Sequence, residues 1–386
     1  MAQALPDLAP LAALAIDTAV QLRSGQDLVI TAPLEAAPLV RRLAGRAYER
    51  GARAVTCVYE DPRLIRERLV AGSDAALDHA APWPARSVSE AVRAGAVLLR
   101  VLGPYPDLLE GIAPERIVRA HAAAAHVAGT QGEAALPAAV TGSAVPFVTE
   151  AWALHVFPAL PPGEACARLW QVLFDAMRLN TPAPQQAWRR HLEALAARRD
   201  DLQARGFVAL RVRDAATDLR LGLAPGQSWR GAMQRAPDGA QILPGLPCEE
   251  LCAVLDGCTA EGHVKFSRPL ALGGTLVHGL RAEFRNGLAT QVAADSGAAQ
   301  VAALFAAGAT RRLHAIGLVP ASSCLARQGT LFCSPLLDRQ AASHLGFGPE
   351  QGLRIECMFG TSTTEVDGLG PDGRSTPLMR AGEFVS

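Results

Sequence analysis

The sequence predicts two domains, an α/β domain with a mostly parallel, Rossmann-like sheet over residues 1–205 and an α+β domain with an antiparallel sheet over residues 206–386. In the first half, short β-branched runs alternate with helical patterns, which is typical of a parallel sheet covered by helices. In the second half, short strands are separated by glycine-rich turns, which favours antiparallel pairing. A chain of 386 residues, 49% of them hydrophobic, is long enough to bury two cores.

The elements of the first domain follow from hydrophobic spacing. Leu39, Leu43 and Ala47 recur at helical intervals, and Gly51 marks the end of that helix. No Gly-x-Gly-x-x-Gly follows any strand, so dinucleotide binding has no support. The predicted helices are Pro6–Leu22, Leu34–Arg50, Pro62–Val70, Glu115–Ala128, Glu164–Leu179 and Gln185–Arg205, and the predicted strands are Asp27–Pro33, Arg53–Tyr59, Ala96–Leu102 and Ala144–Thr149.

The second domain begins after the two long helices. Asn286-Gly287 between alternating runs predicts a tight hairpin, and Gly273-Gly274 predicts another turn. The predicted strands are Val208–Arg213, Asp218–Leu223, Gly262–Phe266, Thr275–Arg281 and Gly287–Ala293.

Charge and composition exclude several classes of function. The chain has 37 Lys and Arg against 37 Asp and Glu, so no overall field attracts nucleic acid or an anionic membrane. The N-terminus lacks a basic start and carries Asp7 and Asp17, which indicates an amphipathic helix, not a signal peptide. No apolar window reaches the roughly 18 residues that span a bilayer. These features predict a cytoplasmic protein.

The eight cysteines do not form a recognisable metal motif. Cys248, Cys252 and Cys258 are the one cluster, and they lack a Cys-x-x-Cys pair. Their spacing therefore favours buried thiols over a zinc knuckle.

The stretch Leu331–Gly360 carries the most chemistry. His344 lies close to Asp338 in sequence, and Arg354 and Glu356 follow ten to twelve residues later on a predicted strand. Because strand residues two apart share a face, Arg354 and Glu356 are expected to project together and to meet His344 in one cleft. The alternative is a core histidine beside a surface salt bridge.

Four segments of the second half occur together: GLPCEE at 245–250, LHAIGLVP at 313–320, DRQAASHLGFG at 338–348 and RIECMFG at 354–360. In this combination the chain resembles the thermophilic aminopeptidase family, the leucyl aminopeptidases of the aminopeptidase T and S kind, over almost its whole length. The resemblance implies the family's two-domain fold and a homodimer that encloses the active site. It also implies two divalent metals, usually cobalt or zinc, that activate a water and polarise a peptide carbonyl.

The family's ligands fall on six positions of this chain. Three keep a group that can bind a metal: Glu250, His344 and Glu356. The other three are Ala315, Gln351 and Arg354. A guanidinium about 4 Å from a dication would be repelled by roughly 8 kcal/mol at an effective dielectric of about 20, so a two-metal centre is not expected.

Arg354 is therefore predicted to replace the metal, either by pairing with Glu250 or Glu356 or by binding a substrate carboxylate. His344 would then transfer a proton. The alternative is an Arg–Glu pair that only fills the vacated site. Asp338 is expected to cap a following helix, with the orientation of His344 as the alternative. His314 is expected to be a core residue, with a place in the same cleft as the alternative.

The resulting expectation is a divergent family member that has lost two-metal peptide hydrolysis and acts on a small amino-acid-like, peptide-like or carboxylate-bearing substrate. No cofactor is expected, with one divalent zinc, cobalt or iron ion as the alternative. The competing functions are a one-metal aminopeptidase that uses Glu250, His344 and Glu356, and a non-catalytic binding protein. A mononuclear iron oxygenase is a further alternative, because the family includes a ring-cleaving relative, but that relative keeps the His and Asp replaced here by Arg354 and Glu356.

Overall fold

The fold is taken from a computed structural model. It describes residues 5–131, 142–226, 229–235, 239, 241–272, 275–306, 308–348 and 354–385. The chain forms two compact units, Met1–Trp188 with Met233–Pro247 and Arg189–Ala232 with Cys248–Ser386. The sequence prediction instead placed one boundary at residue 205. Residues 233–247 return to the first unit, where the N–H of Ala144 donates to the carbonyl of Pro244 and the carbonyl of Ala144 accepts from the N–H of Leu246.

A parallel sheet forms the centre of the first unit. Its described strands lie in the order β2-β1-β3-β4, and every neighbouring pair is parallel. These strands are β1 (Asp27–Pro33), β2 (Ala54–Glu60), β3 (Val97–Leu102) and β4 (Gly142–Pro146), and the short strands β7 (Gln234–Arg235) and β8 (Gln241–Ile242) pair separately.

Helices connect these strands, as the alternating pattern predicted. The helix α2 (Ala37–Glu49) buries Leu39, Leu43 and Ala47, the residues whose spacing predicted it. A π-helix at Ala15–Ala19 and a 3₁₀ helix at Leu34–Ala36 shorten two of the predicted α-helices. The other helices are α1 (Ala9–Leu14), α3 (Pro62–Ala71), α4 (Asp74–Leu77), α5 (Trp83–Arg93), α6 (Pro114–Gln131), α7 (Glu150–Val156), α8 (Pro162–Ala176) and α9 (Pro184–Ala204), which enters the second unit.

The second unit is built mainly on antiparallel sheets. Its larger sheet has the order β14-β13-β10-β6-β5-β18-β19-β20 in the described residues. Its strands are β5 (Ala209–Asp214), β6 (Thr217–Gly222), β10 (Glu261–Lys265), β13 (Arg281–Arg285), β14 (Leu288–Ala293), β18 (Glu365–Leu369), β19 (Ser375–Arg380) and β20 (Glu383–Phe384), and a small pair adds β11 (Leu270–Leu272) and β12 (Thr275–Val277). Asn286 and Gly287 both have positive φ in the β13–β14 turn, which confirms the predicted hairpin. Gly273-Gly274 lies outside the described residues.

A second, four-stranded antiparallel sheet in the same unit carries the candidate site. Its order is β17-β16-β15-β9, with β9 (Leu251–Val254), β15 (Leu313–Leu318), β16 (His344–Phe347) and β17 (Ile355–Met358). Besides most of α9, the described part of this unit has the helices α10 (Ala298–Ala306) and α11 (Pro335–Asp338), with 3₁₀ turns at Gly308–Arg311 and Ala326–Gln328. The predicted fold class, an α/β domain followed by an α+β domain with an antiparallel sheet, is confirmed.

The prediction of a helix after Asp338 was wrong. His344–Phe347 forms the strand β16, which pairs with a strand on each side. All four of its residues are buried, so the segment shows none of the polar–apolar alternation by which a half-exposed strand is recognised.

Candidate active site

Strand register places His344 on one face of the four-stranded sheet. Cys252, Gly317 and His344 are register partners on β9, β15 and β16, and directly opposed residues point to the same face. A Cβ on Gly317 would lie only 2.2 Å from Cε1 and 2.4 Å from Nε2 of His344. The imidazole therefore lies across the backbone of Gly317 and reaches the segment that carries Glu250.

Glu250 and His344 form the centre of the site. His344 Nε2 lies 3.3 Å from Glu250 Oε2, and both residues are buried, at 8% and 3% exposure. The side-chain oxygen of Gln340 accepts hydrogen bonds from the backbone N–H groups of Glu249, at 2.6 Å, and of Glu250, at 3.2 Å. This contact fixes the chain segment before β9 against the turn that follows α11.

The guanidinium in this site belongs to Arg339, at the end of α11. Its Nε lies 3.2 Å from Glu250 Oε2, and its Nη2 donates to Glu250 Oε1, so the guanidinium and the carboxylate form a bidentate ion pair. Its Nη1 lies 3.5 Å from Glu356 Oε1. One cation thus links the two carboxylates that the resemblance assigned to metal binding.

The pKa values of Glu250 and Arg339 are both shifted by this pairing. Burial raises the pKa of the Glu250 carboxyl, but the Arg339 guanidinium and the His344 imidazole outweigh it, so the pKa lies below its ordinary value. Burial lowers the pKa of Arg339, but Glu250 and Glu356 overcome that effect and hold the pKa well above its ordinary value. At neutral pH Glu250 is therefore a carboxylate, and it is paired with a fixed cation.

Cys252 is the third potential ligand beside Glu250 and His344. One donor atom from each of these three residues lies within 4.8 Å of the other two. Burial, together with the nearby Glu250 carboxylate, raises the pKa of the Cys252 thiol well above its ordinary value. Without a cation the side chain is a neutral thiol.

The other predicted site residues lie further from this centre. Arg354 precedes β17 with an exposed side chain, and no ion pair joins it to another described residue. Ala315 is opposite Gly346 on the His344 face, and Gly346 is in turn opposite Glu356. The ring of His314 lies against Gly346, where a Cβ would be 2.5 Å from its Cε1. Gln351 is outside the described residues.

Asp338 binds the loop before its own helix and does not cap a following helix, contrary to the prediction. Its Oδ1 accepts from the N–H of Phe332 at 2.7 Å and its Oδ2 from the N–H of Ser334 at 2.9 Å. The carboxylate therefore closes the loop before its own helix, α11, and caps no helix after it. Burial raises the pKa of Asp338 to about 6, against the effect of these two hydrogen bonds.

Sequence reasoning missed Arg339 and Cys252. Arg339 lies five residues before His344, inside the segment that resembles the family's histidine segment, but at none of the six family ligand positions. Cys252 follows Glu250 by two residues, and the alternation of a strand predicts that such residues share a face. The spacing of a zinc knuckle does not detect such a residue, because it compares cysteines only with one another.

These residues do not fit two divalent ions. Arg339 already occupies both oxygens of Glu250, and a dication bound to the same carboxylate would lie about 4 Å from the guanidinium, a repulsion of roughly 8 kcal/mol at an effective dielectric of about 20. Ala315 offers no ligand. One ion fits the donor set of Glu250, Cys252 and His344 only when Arg339 leaves Glu250, and it would supply Lewis-acid chemistry there.

Residues 5–352 match the family described as thermophilic metalloprotease (M29). The chain belongs to this family. It is 38% identical to aminopeptidase T of Thermus thermophilus, over 98% of both chains, and 29% identical to aminopeptidase 2 of Geobacillus stearothermophilus, over 97% of this chain and 96% of that one. The solved structure of wild-type AmpT from Thermus thermophilus superposes with a TM-score of 0.92 at 39% identity, covering 98% of this chain and 99% of that chain.

Membership in the M29 family confirms the predicted resemblance. It makes the chain a member of an aminopeptidase and metalloprotease family, and it gives no support to the expectation of a metal-free site. Among the described residues, no helix combines the length and the apolar character needed to cross a bilayer.

Proposed function

We propose that this chain is a divergent M29 protein that has lost two-metal peptide hydrolysis and acts on a small amino-acid-like, peptide-like or carboxylate-bearing substrate. The proposal depends on one observation, namely that the Arg339 guanidinium donates a hydrogen bond to each oxygen of the Glu250 carboxylate. While Glu250 is paired with the guanidinium it holds no ion. If Arg339 leaves, one ion can bind, and Ala315 supplies no ligand for a second.

Arg339 supplies the anion-binding group that the sequence analysis assigned to Arg354. Glu250 and Glu356 hold its guanidinium in place, and about a third of the side chain, 34%, is exposed to an incoming ligand. A planar guanidinium binds carboxylates through two parallel hydrogen bonds, which favours a substrate that carries one. In the ion-free site His344, 3.3 Å from Glu250, transfers the proton.

A one-metal aminopeptidase is the second candidate. It is favoured by the donor atoms of Glu250, Cys252 and His344, which lie within 4.8 Å of one another. Glu356 is the third ligand expected from the sequence, and its carboxylate lies beside Arg339, 3.5 Å from Nη1. The homodimer implied by the resemblance stays a prediction, as does a non-catalytic binding function.

Metal content and hydrolysis separate these candidates. The protein is purified without chelator, its transition metals are quantified by elemental analysis, and leucine-anilide hydrolysis is assayed on the same sample. The proposal predicts at most one ion per chain and no hydrolysis. One ion with hydrolysis supports the second candidate, and two ions with hydrolysis overturn both.

Ligand binding tests the role of Arg339 directly. Leucine and leucinamide differ in the carboxylate, so leucine is expected to bind at least about tenfold more tightly in calorimetry. Arg339→Gln should remove this difference, whereas Arg354→Gln and the exposed control Arg281→Gln should keep it. If Arg354→Gln alone removes the difference, the guanidinium is Arg354, as the sequence predicted. If the unmodified protein binds leucine and leucinamide equally, the carboxylate-binding proposal is wrong.

A further inference from the structure

Three side chains in the candidate site form a ligand set of unusual composition. Glu250, Cys252 and His344 contribute a carboxylate, a sulfur and an imidazole whose donor atoms lie within 4.8 Å of one another. The Glu250–His344 separation of 3.3 Å is already that of two ligands on one tetrahedral ion, for which bonds of about 2.0–2.3 Å place neighbouring donors about 3.3–3.8 Å apart. Small side-chain rotations would complete the set.

Charge also favours one ion. Metal binding deprotonates a ligating thiol, so the Glu250 carboxylate and the Cys252 thiolate together neutralise one dication. The Glu356 carboxylate, 3.5 Å from Arg339, then balances the guanidinium. A second dication would find no further carboxylate among these residues.

Arg339 is the competitor for this site. Its fork uses the same carboxylate oxygens that an ion bound to Glu250 would use. Its side chain is 34% exposed, so water can replace Glu250 as a partner of the guanidinium when an ion binds. An ion and Arg339 would therefore compete for Glu250.

We propose that Cys252 completes, with Glu250 and His344, a site for a single thiolate-preferring transition metal such as Zn²⁺, and that this ion exchanges with the Arg339 guanidinium on Glu250. Sulfur and imidazole ligands favour Zn²⁺ or Co²⁺ over Mg²⁺ or Ca²⁺, which bind oxygen. The inference does not depend on the proposed function, because ion binding is measured without substrate.

Cobalt is a suitable probe because a Co²⁺–thiolate bond absorbs in the near ultraviolet through charge transfer. Chelator-treated full-length protein is titrated with Co²⁺, and the absorption is expected to saturate at one ion per chain and to disappear when Zn²⁺ is added. Cys252→Ser should lose the band. Cys258→Ser, which replaces an exposed cysteine just beyond β9, should keep it.

Removing the competitor should strengthen binding. Arg339→Gln is expected to bind Co²⁺ at least about tenfold more tightly, since the fixed positive charge is gone. No thiolate band in the unmodified protein, an unchanged band in Cys252→Ser, or unchanged affinity in Arg339→Gln would overturn the proposal. If Cys252→Ser fails to fold, zinc X-ray absorption of the unmodified protein decides: one sulfur neighbour supports the site, and a shell of only nitrogen and oxygen overturns it.

Discussion

The His344 imidazole is predicted to need the space that Gly317 leaves by having no side chain, and Gly317→Ala tests this. An added Cβ would lie 2.2, 2.4 and 2.9 Å from Cε1, Nε2 and Nδ1 of His344, whereas ordinary contact begins at about 3.4 Å. The ring must therefore shift by about 1 Å or more. Because the ring is buried and lies 3.3 Å from Glu250, such a shift breaks that contact.

Overpacking of this size is expected to lower the free energy of unfolding by about 1–3 kcal/mol. Since the chain has two compact units, the loss should be measured locally, as faster amide hydrogen exchange in β15 and β16. The ¹³C-labelled imidazole resonances report the displacement of His344, which is expected to weaken the pairing with Glu250.

Two alanine substitutions provide controls. Gly346→Ala places a Cβ 2.5 Å from Cε1 of His314, so it should cost similar stability but leave the His344 resonance in place. Gly45→Ala lies inside α2 with no heavy atom within 4 Å of the new Cβ, and it should stabilise the protein by about 0.5–1 kcal/mol. Unchanged exchange in β15 and an unmoved His344 resonance in Gly317→Ala would refute the reasoning.

Three further predictions follow from the charges and thiols of the same region. Arg339→Met should destabilise the protein by about 1–3 kcal/mol at pH 7 and raise the pKa of Glu250, because this carboxyl side chain is only 10% exposed and loses its main partner. Urea unfolding measures the loss of stability and carboxyl NMR measures the pKa. An unchanged pKa of Glu250 would contradict the prediction. The pKa of Asp338 is about 6 in the folded protein, against an ordinary value near 3.9. Its contribution to stability, at most about 3 kcal/mol, is therefore complete below pH 4 and is lost as the pH rises through 6. Asp338→Asn should flatten this part of a pH–stability curve, and an identical slope in the variant would contradict the prediction. Iodoacetamide should modify exposed Cys258 well before Cys252, which is only partly exposed and whose pKa is raised. Peptide mass spectrometry measures the two rates, and equal rates would contradict this expectation.

Local patterns predicted most of the fold. The strand Asp27–Pro33 was predicted with the bounds that it has, and the helix Pro184–Ala204 was predicted to within one residue at each end. Both carry signals that depend only on neighbouring residues, namely β-branched runs and helical spacing. The strand His344–Phe347 was missed because it is buried on both faces and lacks alternation.

The candidate site was only partly predictable. Family segments located Glu250, His344 and Glu356, and the structure brings His344 to Glu250 and connects Glu250 to Glu356 through Arg339. Adjacency in sequence favoured Arg354 as the guanidinium because it lies two residues from Glu356. Its side chain is exposed before β17, whereas the turn after α11 directs Arg339 to the carboxylates.

The sequence by itself determined the two-domain fold, the family and the residues at the positions that the resemblance assigns to metal ligands, because backbone geometry converts local spacing into helices and strands. Only the tertiary structure decided that Arg339 pairs with Glu250, that Cys252 lies beside His344 and that Gly317 leaves room for the imidazole. These contacts join segments 27 to 92 residues apart, and they depend on the register between strands, which no local pattern encodes.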